Sequence, residues 1–84
     1  MFKVLPFSSQ IKKYAKSHNI ASKLEKQIHL LKTNTKHPSL NVELLEPKKH
    51  GIYSFRIDRK YRALFIFRPD KDAIEILLLT LHYK

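Results

Sequence analysis

The sequence predicts an α+β domain in which a small, mainly antiparallel β-sheet carries a helical hairpin on one face, in the order β-α-α-β-β-β. Between Ile52 and Phe67, apolar side chains alternate with polar ones at period two, which is typical of half-buried strands. Between Ile11 and Leu31, apolar residues recur at spacings of three and four, which indicates helices. With 84 residues, the chain is long enough for one small domain over positions 1–84 and one core.

The first half of the chain supplies one strand and both helices. Phe2–Leu5 is a short apolar run ended by Pro6, and it predicts an edge strand. Ser8 and Ser9 can cap the helix that follows, and Asn19 offers a cap for the second helix. The two helical stripes are Ile11, Tyr14, Ala15 and His18, then Ile20, Ala21, Leu24, Ile28 and Leu31. Two helices separated so briefly form a hairpin that can cover one face of a sheet.

The segment from Thr35 to His50 shows no sustained period, yet it contains apolar residues that predict attachment to the core. These residues are Leu40, Val42, Leu44 and Leu45. The final strand, Ala73–Leu81, is apolar on both faces, which predicts an internal position in the sheet.

The central hairpin comprises strands Ile52–Ile57 and Tyr61–Phe67, joined by the turn 58–60. A three-residue turn places all the aromatic side chains on one face, whereas a two-residue turn would divide them between both faces. The three-residue turn also sets Arg56 directly opposite Arg62. Because like charges in that position are destabilising, we expect the two arginines to bind an anion.

The charge of the chain points to the same class of partner. It contains 17 Lys+Arg against 7 Asp+Glu, a formal net charge of +10. On a domain of this size, such a charge predicts a polyanion: nucleic acid first, an acidic protein second and a membrane surface third. The longest apolar run, near Ile74 to Leu81, contains Glu75 and is far too short to span a bilayer. The absence of cysteine excludes a disulfide framework and fits a cytoplasmic location.

One set of side chains could cleave RNA. The candidate residues are Glu43, Lys48, Lys49, His50, Arg56, Arg62, His82 and Tyr83. An RNA phosphodiester can be cut by its own 2′-hydroxyl if a base removes that proton, an acid protonates the leaving oxygen and cations stabilise the phosphorane. A carboxylate, a histidine and two arginines suffice, so we expect no cofactor. The five histidines lack ligand spacing, so we expect no metal site.

The hairpin YSFRIDRKYRALFIF, followed by a strand ending in LHYK, resembles the RelE/ParE superfamily of bacterial toxins from toxin–antitoxin pairs. Within it, the chain is most similar to the YoeB branch of ribosome-dependent mRNA interferases. Such chains carry a glutamate eight positions before the glycine that opens the hairpin, an arginine on each hairpin strand and a final His-Tyr pair. The matching residues here are Glu43 before Gly51, Arg56, Arg62, His82 and Tyr83.

The resemblance implies a RelE/ParE-like fold and a role for each matching residue. Glu43 is the expected general base and His82 the general acid. Arg62, with Arg56, is expected to stabilise the phosphate, and Tyr83 to orient or stack on the substrate. Since the loop around Glu43 is irregular, a gap there would transfer the role of base to Glu46.

The resemblance also implies partners: mRNA in the ribosomal A site, ribosomal RNA and a cognate antitoxin protein. Lys48, Lys49 and His50 are expected to meet RNA phosphates without sequence preference. The ParE branch, which inhibits gyrase without nuclease activity, remains an alternative, as does an inactive nucleic-acid-binding relative. The sequence leaves the oligomeric state open.

Overall fold

The computed structural model describes residues 3–81 of the chain. It contains two α-helices and five β-strands. These are β1 (Lys3–Val4), α1 (Ser9–Ser17), α2 (Ala21–Thr33), β2 (Glu43–Leu44), β3 (Tyr53–Arg56), β4 (Tyr61–Arg68) and β5 (Ala73–Leu81). Short 3₁₀ turns lie at Pro38–Leu40, Lys48–His50 and Pro69–Lys71. Within residues 3–81, no helix has the length and apolar content needed to cross a membrane.

The five strands form one sheet in the order β1-β5-β4-β3-β2, with β1 parallel to β5 and every other pair antiparallel. This arrangement confirms the mainly antiparallel sheet, the edge position of the first strand and the internal position of β5. One of the five strands, β2, was not predicted. It is two residues long and carries no alternation, so only its pairing with Tyr53 and Ser54 of β3 identifies it.

Ser8 caps the start of α1 as predicted, whereas Asn19 does not cap the start of α2. Ser8 caps α1, because its Oγ accepts a hydrogen bond from the backbone N–H of Ile11 at 3.2 Å. Asn19 does not cap α2, which contradicts the prediction. It adopts a left-handed conformation (φ 58°), and the N–H of Ile20 donates to the carbonyl of Ala15. This is the Schellman termination of α1, for which asparagine is a suitable residue.

The central hairpin has the predicted register. Phe55 pairs with Ala63, Tyr53 with Phe65 and Arg56 with Arg62. Asp58 fixes the turn, since its Oδ1 accepts hydrogen bonds from the backbone N–H groups of Lys60 and Tyr61, both at 2.8 Å. The aromatic side chains therefore share the face that the helices cover.

The core lies between that face and the two helices. Its most deeply buried side chains are Leu24, Leu31, Leu40, Phe55, Phe65 and Ile74. Leu40 confirms that the segment after α2 is attached to the core, whereas Leu44 is exposed. On β5, Leu77 and Leu78 are also exposed. Leu77 is left unpaired at a register shift against β4, and Leu78 lies on the second face of the sheet, which neither α1 nor α2 covers. We call this second face the open face.

Candidate active site

The open face brings the two arginines and Glu43 together through strand register alone. Arg56 of β3, Arg62 of β4 and Thr80 of β5 form one cross-strand row. The next row on the same face consists of Glu43, Ser54, Leu64 and Leu78. Because side chains alternate across a strand, residues two positions apart share a face and the two rows are neighbours.

Arg62 is buried although it lies on the open face. It is only 5% exposed, whereas Arg56 opposite it is exposed. Its Nε donates to Ser54 Oγ at 3.0 Å, and its Nη2 donates to the backbone carbonyl of Asn41 at 2.6 Å. These two bonds fix the orientation of the guanidinium group. Among residues 3–81, no group accepts a hydrogen bond from its Nη1.

Asn41 reaches Arg62 because the chain reverses at the end of the 3₁₀ turn Pro38–Leu40. Asn41 has a left-handed backbone (φ 46°), and its N–H donates to the carbonyl of Pro38. Its own carbonyl is thereby directed at β4. Asparagine tolerates this conformation better than most residues.

Glu43 supplies a carboxylate beside the guanidinium. Its Oε1 lies 4.0 Å from Arg62 Nη2, and it accepts a hydrogen bond from Asn41 Nδ2 at 3.4 Å. The Glu43 side chain is 50% exposed, so one partner of this ion pair is buried and the other can meet a ligand from solvent.

The electrostatics of the site are unfavourable for the protein alone. Burial lowers the pKa of Arg62; the Glu43 carboxylate raises it, and the charge of Arg56 lowers it further. The net lowering leaves an arginine charged at neutral pH. A buried cation with a second cation directly opposite is an arrangement that a bound phosphate would stabilise.

A depression of about 280 Å³ lies over Arg62 and Glu43, and Arg56 is not part of its lining. Its lining consists of Glu43, Leu45, Ser54, Arg62, Leu64, Thr80 and Leu81. Leu81 immediately precedes His82 and Tyr83, which lie outside the described residues together with their predicted roles. A larger depression, about 670 Å³, is lined by Tyr53, Phe65 and Phe67 and also by Asn41, but not by Arg62 or Glu43. We assign chemistry to the smaller one because its lining, unlike that of the larger one, joins a buried cation to a carboxylate.

The other predicted site residues lie elsewhere. Lys48, Lys49 and His50 form an exposed 3₁₀ turn between β2 and β3, at the end of β3 remote from Arg56. Glu46, the alternative base, is exposed in the same loop and is not part of the depression's lining. Within residues 3–81, no cluster of three or more His, Cys, Asp or Glu side chains could hold a metal ion.

Two contributors to the site were missed from the sequence. Ser54 could have been found, because the predicted register places it diagonally across from Arg62 on the same face. Asn41 offered no such signal, since it acts through its backbone carbonyl from 21 positions away.

No protein-family model matches the chain, and no curated protein matches it significantly. Several solved structures, by contrast, do match the chain. A YoeB/ParE toxin from Agrobacterium tumefaciens superposes with a TM-score of 0.72 at 19% identity, covering 99% of this chain and 100% of the other. This chain has the fold of YoeB-like toxins.

Two toxin–antitoxin complexes show the same fold. The YoeB–YefM complex from Staphylococcus aureus gives a TM-score of 0.69 at 22% identity over 99% of both chains. The Escherichia coli DinJ–YafQ complex gives 0.72 at 15% identity over 98% of this chain and 94% of the other. These likenesses confirm the RelE/ParE-type fold that the resemblance of the hairpin and of the strand ending in LHYK implied.

Proposed function

We propose that this protein is the toxin of a type II toxin–antitoxin system and an endoribonuclease that cleaves ribosome-bound mRNA. The observation that carries the proposal is the buried Arg62 with the half-exposed Glu43 beside it, at 4.0 Å, in a depression on the open face. An arginine held by Ser54 and Asn41 presents a cation at a fixed position, as stabilisation of a developing phosphorane requires.

In the proposed reaction, Glu43 removes the proton of a ribose 2′-hydroxyl. The 2′-oxygen attacks the adjacent phosphorus, and Arg62 and Arg56 stabilise the negative charge of the five-coordinate phosphorus. His82 protonates the departing 5′-oxygen, so the products are a 2′,3′-cyclic phosphate, or its hydrolysed form, and a 5′-hydroxyl. Tyr83 orients the substrate or stacks on a base.

The partners in this proposal are polyanions and one acidic protein. The charge of +10 supports binding to mRNA and ribosomal RNA in the cytoplasm, with Lys48, Lys49 and His50 as phosphate contacts. The YefM and DinJ complexes support a cognate antitoxin as the protein partner.

Primer extension on an mRNA in a purified translation system tests the proposal. The wild-type protein is compared with His82→Ala, and His29→Ala serves as a control because His29 is an exposed histidine on α2. We expect discrete cuts at A-site codons that vanish with His82→Ala and persist with His29→Ala.

Two results would change the proposal. Cuts that persist with His82→Ala would retain the nuclease and remove His82 as the acid. If the wild-type protein makes no cuts, with or without ribosomes, the nuclease proposal fails, and inhibition of gyrase supercoiling would then identify a ParE-like toxin.

A further inference from the structure

The polar residues buried within positions 3–81 lie in one connected region. They are Gln27, Ser54 and Arg62, exposed by 6%, 2% and 5%. Ser54 holds Arg62 directly. Gln27 lies on α2, outside the depression, and the other buried residues of that helix, Leu24, Ile28 and Leu31, are apolar. A buried amide in such a position must be hydrogen-bonded, and its partners reveal what it holds in place.

The side-chain amide of Gln27 joins two backbone segments. Its Nε2 donates to the carbonyl of Ser39 at 3.1 Å and to the carbonyl of Arg56 at 2.8 Å. Both acceptors are backbone oxygens, so the amide nitrogen, not the amide oxygen, must face them. The carbonyl of Arg56 lacks a strand partner on this side, because β2 pairs only with Tyr53 and Ser54.

Each of the two backbone segments is connected to one arginine of the Arg56–Arg62 pair. Ser39 belongs to the 3₁₀ turn that leads to Asn41, whose carbonyl accepts the hydrogen bond from Arg62 Nη2. Arg56 is the residue directly opposite Arg62. One side chain therefore ties together the backbone that anchors Arg62 and the strand position that carries Arg56.

We propose that Gln27 is a positioning residue for the anion site: it sets the separation of the 38–41 turn from β3 and thereby the alignment of Arg62 with Arg56. The proposal rests on the proposed function, because it assumes that these arginines bind the scissile phosphate. Gln27 touches no substrate. If its role were only to stabilise the core, removing its amide would lower stability and leave the alignment of Arg62 unchanged.

The kinetic test uses Gln27→Met, which retains the length of the side chain and removes both donors. Ile28→Val is the matched control, because it removes one methylene group from the same helix without affecting the hydrogen bonds. We expect Gln27→Met to lower kcat about tenfold or more at nearly constant KM, since small displacements of catalytic groups have effects of this size. A kcat equal to that of Ile28→Val would overturn the proposal.

A second readout does not depend on cleavage. The NMR signal of the Arg62 Nε–H group, assigned by its loss in Arg62→Lys, is expected to exchange slowly with solvent because Ser54 holds this group in a buried bond. We expect faster exchange in Gln27→Met and unchanged exchange in Ile28→Val. Unchanged exchange in Gln27→Met would overturn the proposal even if the wild-type protein cleaved nothing. If the wild-type protein cleaved nothing, the proposed function would fail on its own test, and the exchange measurement alone would decide the role of Gln27.

If Gln27→Met does not fold, Gln27→Asn replaces it, because the shorter amide cannot span both carbonyls.

Discussion

Replacing Arg56 by glutamine should make the protein more stable and less active. Arg56 is exposed and lies directly opposite the buried Arg62, whose pKa it lowers in addition to the effect of burial. Glutamine retains much of the aliphatic stem and removes the charge. If the two arginines bind an anion together, their mutual repulsion lowers the free energy of unfolding of the ligand-free protein.

The size of the gain follows from the geometry. A directly opposed cross-strand pair changes stability by about 0.2–1 kcal/mol, and like charges act against folding. For a domain of this length, that corresponds to a rise in Tm of about 1–8 °C. Since Arg56 is exposed, salt should screen the repulsion, and the gain should shrink as the Debye length falls from about 10 Å at 0.1 M to 3 Å at 1 M.

Thermal unfolding followed by circular dichroism, at low and at high salt, measures this gain. Arg59→Gln is the matched control, because it makes the same change of net charge in the adjacent turn, at an exposed position with no partner among the residues that the structure describes. The reasoning would be refuted if Arg56→Gln stabilised the protein no more than Arg59→Gln, or if its gain did not depend on salt.

Two further predictions concern the residues around this site. Ser54→Ala should lower the free energy of unfolding in urea by about 1–3 kcal/mol, because it leaves the buried Nε of Arg62 without its acceptor. Ser22→Ala, at an exposed position, is the control, and an equal loss of stability in both variants would contradict the assigned bond. Asp58→Asn should destabilise the protein at neutral pH but not in acid. Burial acts to raise the pKa of Asp58, yet the two turn N–H bonds and Lys23 outweigh it and lower the pKa below 3.8. The stabilisation is therefore present above that value and lost as the pH falls through the lowered pKa; a difference between Asp58→Asn and the wild type that persists at pH 2 would contradict this sign.

The hairpin was predictable because its register is overdetermined. Only a three-residue turn brings the aromatic residues of both strands to one face, and the opposition of Arg56 and Arg62 follows from that register. Period-two alternation therefore predicts both the strands and the direct opposition of the two arginine side chains across them.

The burial of Arg62 was not predictable, because it depends on a long-range reversal of the chain. The carbonyl of Asn41 reaches Arg62 only after the 3₁₀ turn at Pro38–Leu40 and a left-handed residue. The strand β2 was missed for a related reason: Glu43–Leu44 has no period of its own and is defined by the neighbouring strand. Long-range backbone contacts leave little local pattern in the sequence.

The site residues at the end of the chain remain predictions. His82 and Tyr83 follow Leu81, which lines the depression, and their roles as acid and substrate contact lie outside what the described residues test.

The most direct test of the central claim is to compare Glu43→Gln with Glu46→Gln in the ribosome cleavage assay. Glu43 lies 4.0 Å from Arg62, whereas Glu46 lies in the loop outside the depression. We predict that Glu43→Gln lowers the cleavage rate by at least about 100-fold, the lower end of the range for loss of a general base, and that Glu46→Gln cleaves like the wild type. Full activity of Glu43→Gln, with loss of cleavage in Glu46→Gln, would contradict the assignment of the depression as the active site.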